Sequence, residues 1–383
     1  MNNYTFGIPT QIEFGIGSIK KIPTIIQSYN RKNVMVITDQ GVVHAGILNK
    51  ITEHLEQENI NYSIFDKVES DPSTKVIEEI YGMAKEIGTD IIVAIGGGSP
   101  MDASKGVSLL TGNEGRLQDY AGVNKVKNKG IPLIAIPTTA GTGSEVTIFA
   151  VLSDLEANTK FTVTSSRIAP DVAVLDPELT LTLPPKMTAA TGLDALTHAI
   201  EAYTSSISEP ISDALALEAI GLIYRYLPRA VNNGTDLEAR TMMLQAELMA
   251  GMAFNNAFLG LSHAIASPLG ALFHVPHGVA NAVMLPYVMR FNYVASPEKY
   301  IEMARAFGVK LTGNDIYDDA YAAVKAVERL VSLCGMPKKL SEVGAKEELL
   351  DQAAKDALLS VQLRFNCRKA NEAQIRVILG EAY

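Results

Sequence analysis

Short β-branched runs, each bounded by Gly, Pro or Asp, occupy the first half of the chain and are absent from the second. They are Val34–Thr38, Ile91–Ile95, Pro132–Pro137 and Val172–Leu175. Helical patterns separate the first three; in Lys75–Ile87, Val76, Ile80, Met83, Ala84 and Ile87 fall on one face. Strands so short and so uniformly apolar need cover on both faces, so the alternation predicts a parallel sheet wrapped by helices. After the breaker Leu183-Pro184-Pro185 the pattern turns helical, over Met187–Tyr203, Ile211–Tyr226, Leu237–Phe254, Asp318–Cys334 and Glu347–Leu363. The expected organisation is an α/β domain over residues 1–184 and an all-helical domain over 185–383. A length of 383 residues suits two domains.

Composition narrows the function classes. With 42 acidic against 33 basic side chains, the net charge of −9 argues against a nucleic-acid binder, whose footprint is basic. Two cysteines, Cys334 and Cys367, make neither a disulfide scaffold nor a thiolate zinc site, and point to a reducing compartment. The opening MNNYTFGIPTQIEFG has no signal-peptide pattern, and no apolar run approaches the roughly 20 residues that span a bilayer. A cytoplasmic protein with no membrane partner is expected.

The run from Asp90 to Asp102 leads a strand into Gly96-Gly97-Gly98 and then into a helix start, with Ser99 read as N-cap, Pro100 as N1 and Asp102 as N3. Glycines admit a ligand close to the backbone, and free N–H groups at a helix start attract phosphate. The loop matches neither GxGxxG nor a Walker A motif. A second strand, Pro132–Pro137, runs into Thr138-Thr139-Ala140-Gly141-Thr142-Gly143-Ser144, another loop of small hydroxyls. In α/β sheets ligands gather at the carboxyl ends of strands, so two such loops point to a dinucleotide. Asp39 closes the strand Val34–Thr38. An acid there either bonds a ribose diol and repels a 2′-phosphate, favouring NAD(H) over NADP(H), or merely caps the next helix.

In the helical half, Asp194 and His198 stand four residues apart and share a helix face, while His263 and His277 lie in small, apolar surroundings. A carboxylate with imidazoles suits Fe²⁺, Zn²⁺, Mn²⁺ or Co²⁺ rather than Ca²⁺. Taken singly, the Asp–His pair also reads as a solvated ion pair and each histidine as a core residue. His44 and His54, amid polar helical sequence, read as surface residues.

Four stretches, GGGSPMDASKG (Gly96–Gly106), PTTAGTGSEVT (Pro137–Thr147), GLDALTHAIEAY (Gly192–Tyr203) and GLSHAIASPLGALFHVPHGVANAVMLP (Gly260–Pro286), resemble the iron-containing (group III) alcohol dehydrogenases. The resemblance runs in order along nearly the whole chain. It implies a Rossmann-like N-terminal domain, an all-helical C-terminal domain and a divalent metal in the cleft between them, iron first and zinc, manganese or cobalt as substitutes. The implied metal ligands are Asp194, His198, His263 and His277. The implied dinucleotide contacts are Asp39, Gly97, Gly98, Ser99, Asp102, Thr138, Thr139 and Thr142, with Thr147, Phe149, Lys160, Leu179 and Leu183 flanking the groove.

The activity so implied is hydride transfer between NAD(H) and an alcohol, aldehyde or ketone, with the metal acting as Lewis acid on the substrate oxygen. One position departs from the family: many relatives carry a second histidine four residues after His263, where this chain has Ser267. That puts any histidine relay at this point in doubt. His274 is the replacement imidazole to consider, and Ser267 is expected to shape the substrate pocket. A dehydroquinate-synthase-like lyase on the same fold is the rival chemistry, and a silent dinucleotide-binding scaffold the rival class. A strand pair in the Thr10–Phe14 region offers an edge on which a homo-oligomer, a dimer or a multiple of it, could form.

Overall fold

The computed structural model describes residues 3–157 and 159–383. Its strands are β1 (Gln11–Phe14), β2 (Asn33–Ile37), β3 (Asn61–Phe65), β4 (Ile91–Gly96), β5 (Gly122–Val123), β6 (Leu133–Pro137), β7 (Phe149–Asp154), β8 (Thr159–Thr164) and β9 (Val172–Leu175). Six of them form one sheet in the order β1-β9-β6-β4-β2-β3, every neighbouring pair parallel. The remaining three form a small sheet, β5-β8-β7, in which β7 and β8 pair antiparallel. The chain divides into two compact units, Ile8–Thr182 and a second built from Leu183–Tyr383 with the described residues up to Gly7.

In the α/β unit the two-residue period of the strands sorts side chains onto opposite faces. Met35, Ile37, Ile92, Ala94, Leu133 and Ala135 face one apolar layer, with Ile77, Ile80 and Val107 of the flanking helices. Val34, Val36, Ile91, Val93, Ile95, Ile134 and Ile136 face the other, with Ile22, Ile26, Ile51 and Leu55. The helices are α1 (Ile22–Ser28), α2 (Gln40–His44), α3 (Ile47–Gln57), α4 (Thr74–Glu86) and α5 (Gly98–Gly112). Ile91, Ile92, Val93 and Ile95 are all 0 % exposed, and each such side chain contributes about 1.5–3 kcal/mol relative to an exposed one. Burial on both faces is why these strands read as continuous apolar runs.

The helical unit contains α6 (Pro185–Thr204), α7 (Pro210–Asn232), α8 (Leu237–Ala257), α9 (Leu261–Phe273), α10 (His277–Asn292), α11 (Pro297–Ala306), α12 (Ile316–Leu333), α13 (Leu350–Leu358) and α14 (Glu372–Ala382). Part of its core joins Leu261, Ile265 and Leu269 of α9 to Val283 and Met284 of α10, Leu350 of α13 and Leu379 of α14. Among the described residues, no single helix is long and apolar enough to cross a membrane.

Several sequence expectations change here. The helix expected over Glu347–Leu363 is shorter, Leu350–Leu358 between two 3-10 turns, because the Ser360 hydroxyl accepts from the Gln362 N–H at 3.3 Å and starts a new turn. The Thr10–Phe14 region gives one edge strand rather than a strand pair, since among the described residues β1 pairs with β9 and ends the sheet. The sequence reading passes over β3, β7 and β8, whose partly exposed residues break the apolar runs.

Candidate active site

Helix α6 holds Asp194 and His198 one turn apart, each 5 % exposed, which removes the solvated ion pair as an account of their spacing. The turns opening α9 and α10 supply His263 and His277. The Nε2 atoms of His263 and His277 lie 3.7 and 3.8 Å from Asp194 Oδ1. One ligand atom from each of Asp194, His263 and His277 lies within 4.8 Å of the others. Two ligands bound at about 2.1 Å to one ion stand roughly 3–4 Å apart, so this spacing suits a shared metal.

His198 is not one of that close trio. Its ring stacks between Phe254, at a centroid distance of 4.5 Å, and His263, at 4.7 Å. Burial alone would raise the Asp194 carboxyl, but the His198, His277 and His263 rings and the Asn281 amide outweigh it and hold it below the ordinary carboxylate value.

A buried orphan atom supplies the test of fit. His263 Nε2 is buried and has no hydrogen-bond partner among the described residues, while the Nδ1 of the same ring lies 2.6 Å from Glu201. An unshared imidazole nitrogen beside a carboxylate and a second imidazole is the donor set of a divalent transition metal. His277 is 51 % exposed in its side chain, so the trio has an open side.

Two residues of this centre escape a reading of the sequence. Glu201 looks like an ordinary helix glutamate one turn past His198. Asn281, one turn past His277, donates from Nδ2 to Asp194 Oδ1 at 2.7 Å and lies 3.2 Å from His277 Nε2. The i,i+4 spacing of His277 and Asn281 was the available signal. Ser267 is exposed, and its hydroxyl donates to the His263 carbonyl at 3.1 Å. His274 is exposed and ends α9 in the left-handed conformation, φ 57°, with no contact to the trio described. His44 is exposed and His54 half-buried.

In the α/β unit the chain passes from β2 to β3 on one side and then returns to place β4 on the other, so the order reverses between β2 and β4. Crevices at such reversals bind ligands at the carboxyl ends of the strands. Asp39 follows β2 there and also caps α2, accepting from the Val42 N–H at 2.9 Å through Oδ1. The glycine loop follows β4 and the threonine loop follows β6. A Cβ on Gly97 would just touch Thr139 Oγ1 at 3.4 Å, and one on Gly98 would stand 3.2 Å from Thr142 Cγ2, so the two loops already lie in contact and a larger side chain at Gly98 would press on Thr142.

Ser99 is not the N-cap. Gly97 caps α5, Ser99 sits at its second position, and its hydroxyl accepts from the Asp71 N–H at 3.3 Å. Asp71 in turn pairs with Lys160 at 2.7 Å, which links those two expected residues. Asp102 likewise lies past N3, and it is engaged within the protein: it accepts from Ser144 Oγ at 2.7 Å and the Val151 N–H at 2.9 Å. Thr147 Oγ1 and the Phe149 carbonyl accept from the buried Lys105, at 3.3 and 2.6 Å. Thr138 is buried, and Leu179 is 1 % exposed within the apolar layer. Leu183 belongs to the helical unit, where its carbonyl accepts from Arg240 at 3.0 Å.

Comparison with known proteins covers the chain from end to end. The family described as iron-containing alcohol dehydrogenase matches residues 9–177, and the C-terminal region of the Fe-containing alcohol dehydrogenase family matches residues 188–383. A 1,3-propanediol dehydrogenase from Klebsiella pneumoniae is 41% identical over 382 residues, 99% of each chain. An NAD-dependent methanol dehydrogenase from Bacillus methanolicus is 38% identical over 377 residues, 98% of this chain and 99% of that one. Among solved structures, a 1,3-propanediol oxidoreductase superposes with a TM-score of 0.98 at 41% identity, and an alcohol dehydrogenase from Oenococcus oeni with 0.97 at 38%, each covering 100% of both chains.

Proposed function

The chain belongs to the iron-containing alcohol dehydrogenase family, and on that premise we propose how its residues share the work. It is a metal-dependent oxidoreductase that moves a hydride between a nicotinamide dinucleotide and an alcohol, aldehyde or ketone. When bound, the metal supplies Lewis acidity to the substrate oxygen and the dinucleotide carries the hydride. Asp194, His263 and His277, with His198 beside them, hold the metal. The observation that carries this reading is the buried, unshared Nε2 of His263 beside Asp194 and His277. The half-exposed His277 leaves the substrate a side from which to approach.

The glycine loop and the threonine loop, closed on each other, hold the dinucleotide phosphates with backbone N–H groups and hydroxyls. Asp39 Oδ2 has no hydrogen bond to the cap and remains for a ribose hydroxyl, which makes NAD(H) the preferred cofactor over NADP(H). The name of the methanol dehydrogenase relative, NAD-dependent, supports the same preference. Iron is the proposed metal, as the family description has it, with zinc, manganese or cobalt able to occupy the same donors. Short primary alcohols or terminal diols and their aldehydes are the proposed substrates, in line with the names of the propanediol and methanol dehydrogenase relatives. The lyase reading is not favoured, since full-length relatives carry alcohol dehydrogenase names.

The test is metal analysis of anaerobically purified protein, followed by NADH and NADPH oxidation against an aldehyde panel. Asp194→Ala and His263→Ala serve as controls. Full activity in both variants overturns the metal assignment.

A further inference from the structure

We propose that Glu201 is a positioning residue for the metal centre: it holds the His263 ring in the tautomer and orientation that aim Nε2 at Asp194 and His277. The proposal rests on the metal-binding reading above.

Glu201 is 4 % exposed on α6, and its carboxylate takes three donors from the start of α9. Oε2 accepts from the Gly260 N–H at 2.9 Å and faces His263 Nδ1 at 2.6 Å, while Oε1 accepts from the Ser262 N–H at 2.5 Å. The first N–H groups of a helix have no partner within it, and a carboxylate there satisfies both their hydrogen bonds and the helix dipole. The ring therefore answers to a fixed acceptor. A carboxylate only accepts, so Nδ1 carries a proton, and in the neutral ring that binds a metal the lone pair falls on Nε2. The match is tight, because a Cβ on Gly260 would stand 3.2 Å from Glu201 Oε1. Histidine ligands to metals characteristically donate their second nitrogen to such a carboxylate, and losing it costs on the order of 10–100-fold in metal affinity.

A purely structural role, tethering α9 to α6, would show differently. Asn366 tethers the same helix start, its Oδ1 accepting from the Leu261 N–H at 3.2 Å, while its amide donates to Asn292 and to the Arg368 carbonyl rather than to the ring. The full-length protein, stripped of metal, is titrated with Co²⁺ and followed by its visible absorption, for wild type, Glu201→Gln and Asn366→Ala. The amide of Glu201→Gln turns an NH2 toward groups that themselves donate, so the Co²⁺ dissociation constant should rise about 10–100-fold. Asn366→Ala should change it less than threefold while lowering the melting temperature of the metal-free protein. A dissociation constant within twofold of wild type for Glu201→Gln, or an equal loss in Asn366→Ala, overturns the proposal. Should Glu201→Gln not fold, ¹⁵N spectra of histidine-labelled, Zn²⁺-loaded wild type decide: a proton on His263 Nδ1 with metal on Nε2 upholds it, and metal on Nδ1 overturns it. Wild type that takes up no Co²⁺ overturns the metal reading and this proposal together, whereas the variant results bear on Glu201 alone.

Discussion

Lys105 Nζ lies 2.6 Å from the carbonyl oxygen of Phe149, with none of its side chain exposed. The same ammonium donates to Ser144 Oγ at 2.8 Å and to Thr147 Oγ1 at 3.3 Å, and Asp102 stands 3.9 Å away. One buried cation thus ties the helix after the glycine loop to the threonine loop and to β7. Burial pushes its pKa from 10.5 down to about 8, against the opposing pull of Asp102 and Glu145.

That depression has a definite sign. Between about 8 and 10.5 the unfolded chain binds more protons at Lys105 than the folded one does, so its contribution to stability grows as pH rises through this window and is lost as pH falls through about 8. The full shift corresponds to about 3 kcal/mol. Urea denaturation of wild type and Lys105→Met at pH values of about 7.5 and 9.5 should show the stability difference moving toward wild type by about 1–2 kcal/mol. A difference that stays constant would place the titration of Lys105 outside this range.

Asp39 should decide between the two dinucleotides. Asp39→Gly removes the charge that repels a 2′-phosphate and the acceptor offered to the ribose. The ratio of kcat/KM for NADH to that for NADPH should fall at least about tenfold, a change of about 1.4 kcal/mol. Loss of the α2 cap accompanies it, so the melting temperature falls in parallel, and an unchanged ratio in folded variant protein would end the role of Asp39 in discrimination.

Gly98→Val tests the closure of the two loops. The added carbons meet Thr142, whose Cγ2 would stand 3.2 Å from a Cβ at this position. NADH affinity measured by fluorescence should weaken on the order of tenfold, while the metal content stays that of wild type. Equal NADH affinity would show that the glycine loop takes no part in holding the dinucleotide.

For the metal centre, Asp194→Ala should abolish stoichiometric metal and lower kcat by on the order of 100-fold or more. Elemental analysis and steady-state kinetics on the same preparation report both. Chelation of wild type should lower its melting temperature, because a ligand bound at 100 times its dissociation constant stabilises by about 2.7 kcal/mol.

Ser267→His introduces the histidine that the family resemblance leads one to expect four residues after His263. Ser267 is exposed and its hydroxyl donates to the His263 carbonyl of its own helix, so the change should leave metal content intact and reorder the rates over a panel of aldehydes. An unchanged ranking would remove this position from substrate choice.

What could be read from the sequence follows from where each signal lives. Strands β2, β4, β6 and β9 are legible because the sheet is buried on both faces and leaves almost no polar residue in them. Strand β3 and the β7–β8 pair keep one side in solvent, and the alternation in TKFTVT is too mixed to announce a strand. Asp194, His263 and His277 are legible as residue types, yet nothing local says that α9 and α10 bring two imidazoles to one carboxylate. Glu201 is harder still, because its donors lie 59, 61 and 62 residues further on. The cap of α5 misleads for a local reason: Ser99 is the better capping residue, but Gly97 turns into the helix two residues earlier and leaves the serine hydroxyl to accept from Asp71.

The described residues before Ile8 count with the helical unit, and the bonds of Gly7 show how. The Gly7 N–H donates to Asn256 Oδ1 at 2.9 Å, and its carbonyl accepts from Asn256 Nδ2 at 3.3 Å and Asn255 Nδ2 at 3.4 Å, across 248 and 249 positions of sequence. During synthesis Ile8–Thr182 emerges as an uninterrupted piece with its own core, while the segment ahead of it waits for α8 to be made. A fusion or cut at this segment should therefore register in the unit that carries the imidazoles, and the order of translation leaves that unit the last to complete its contacts.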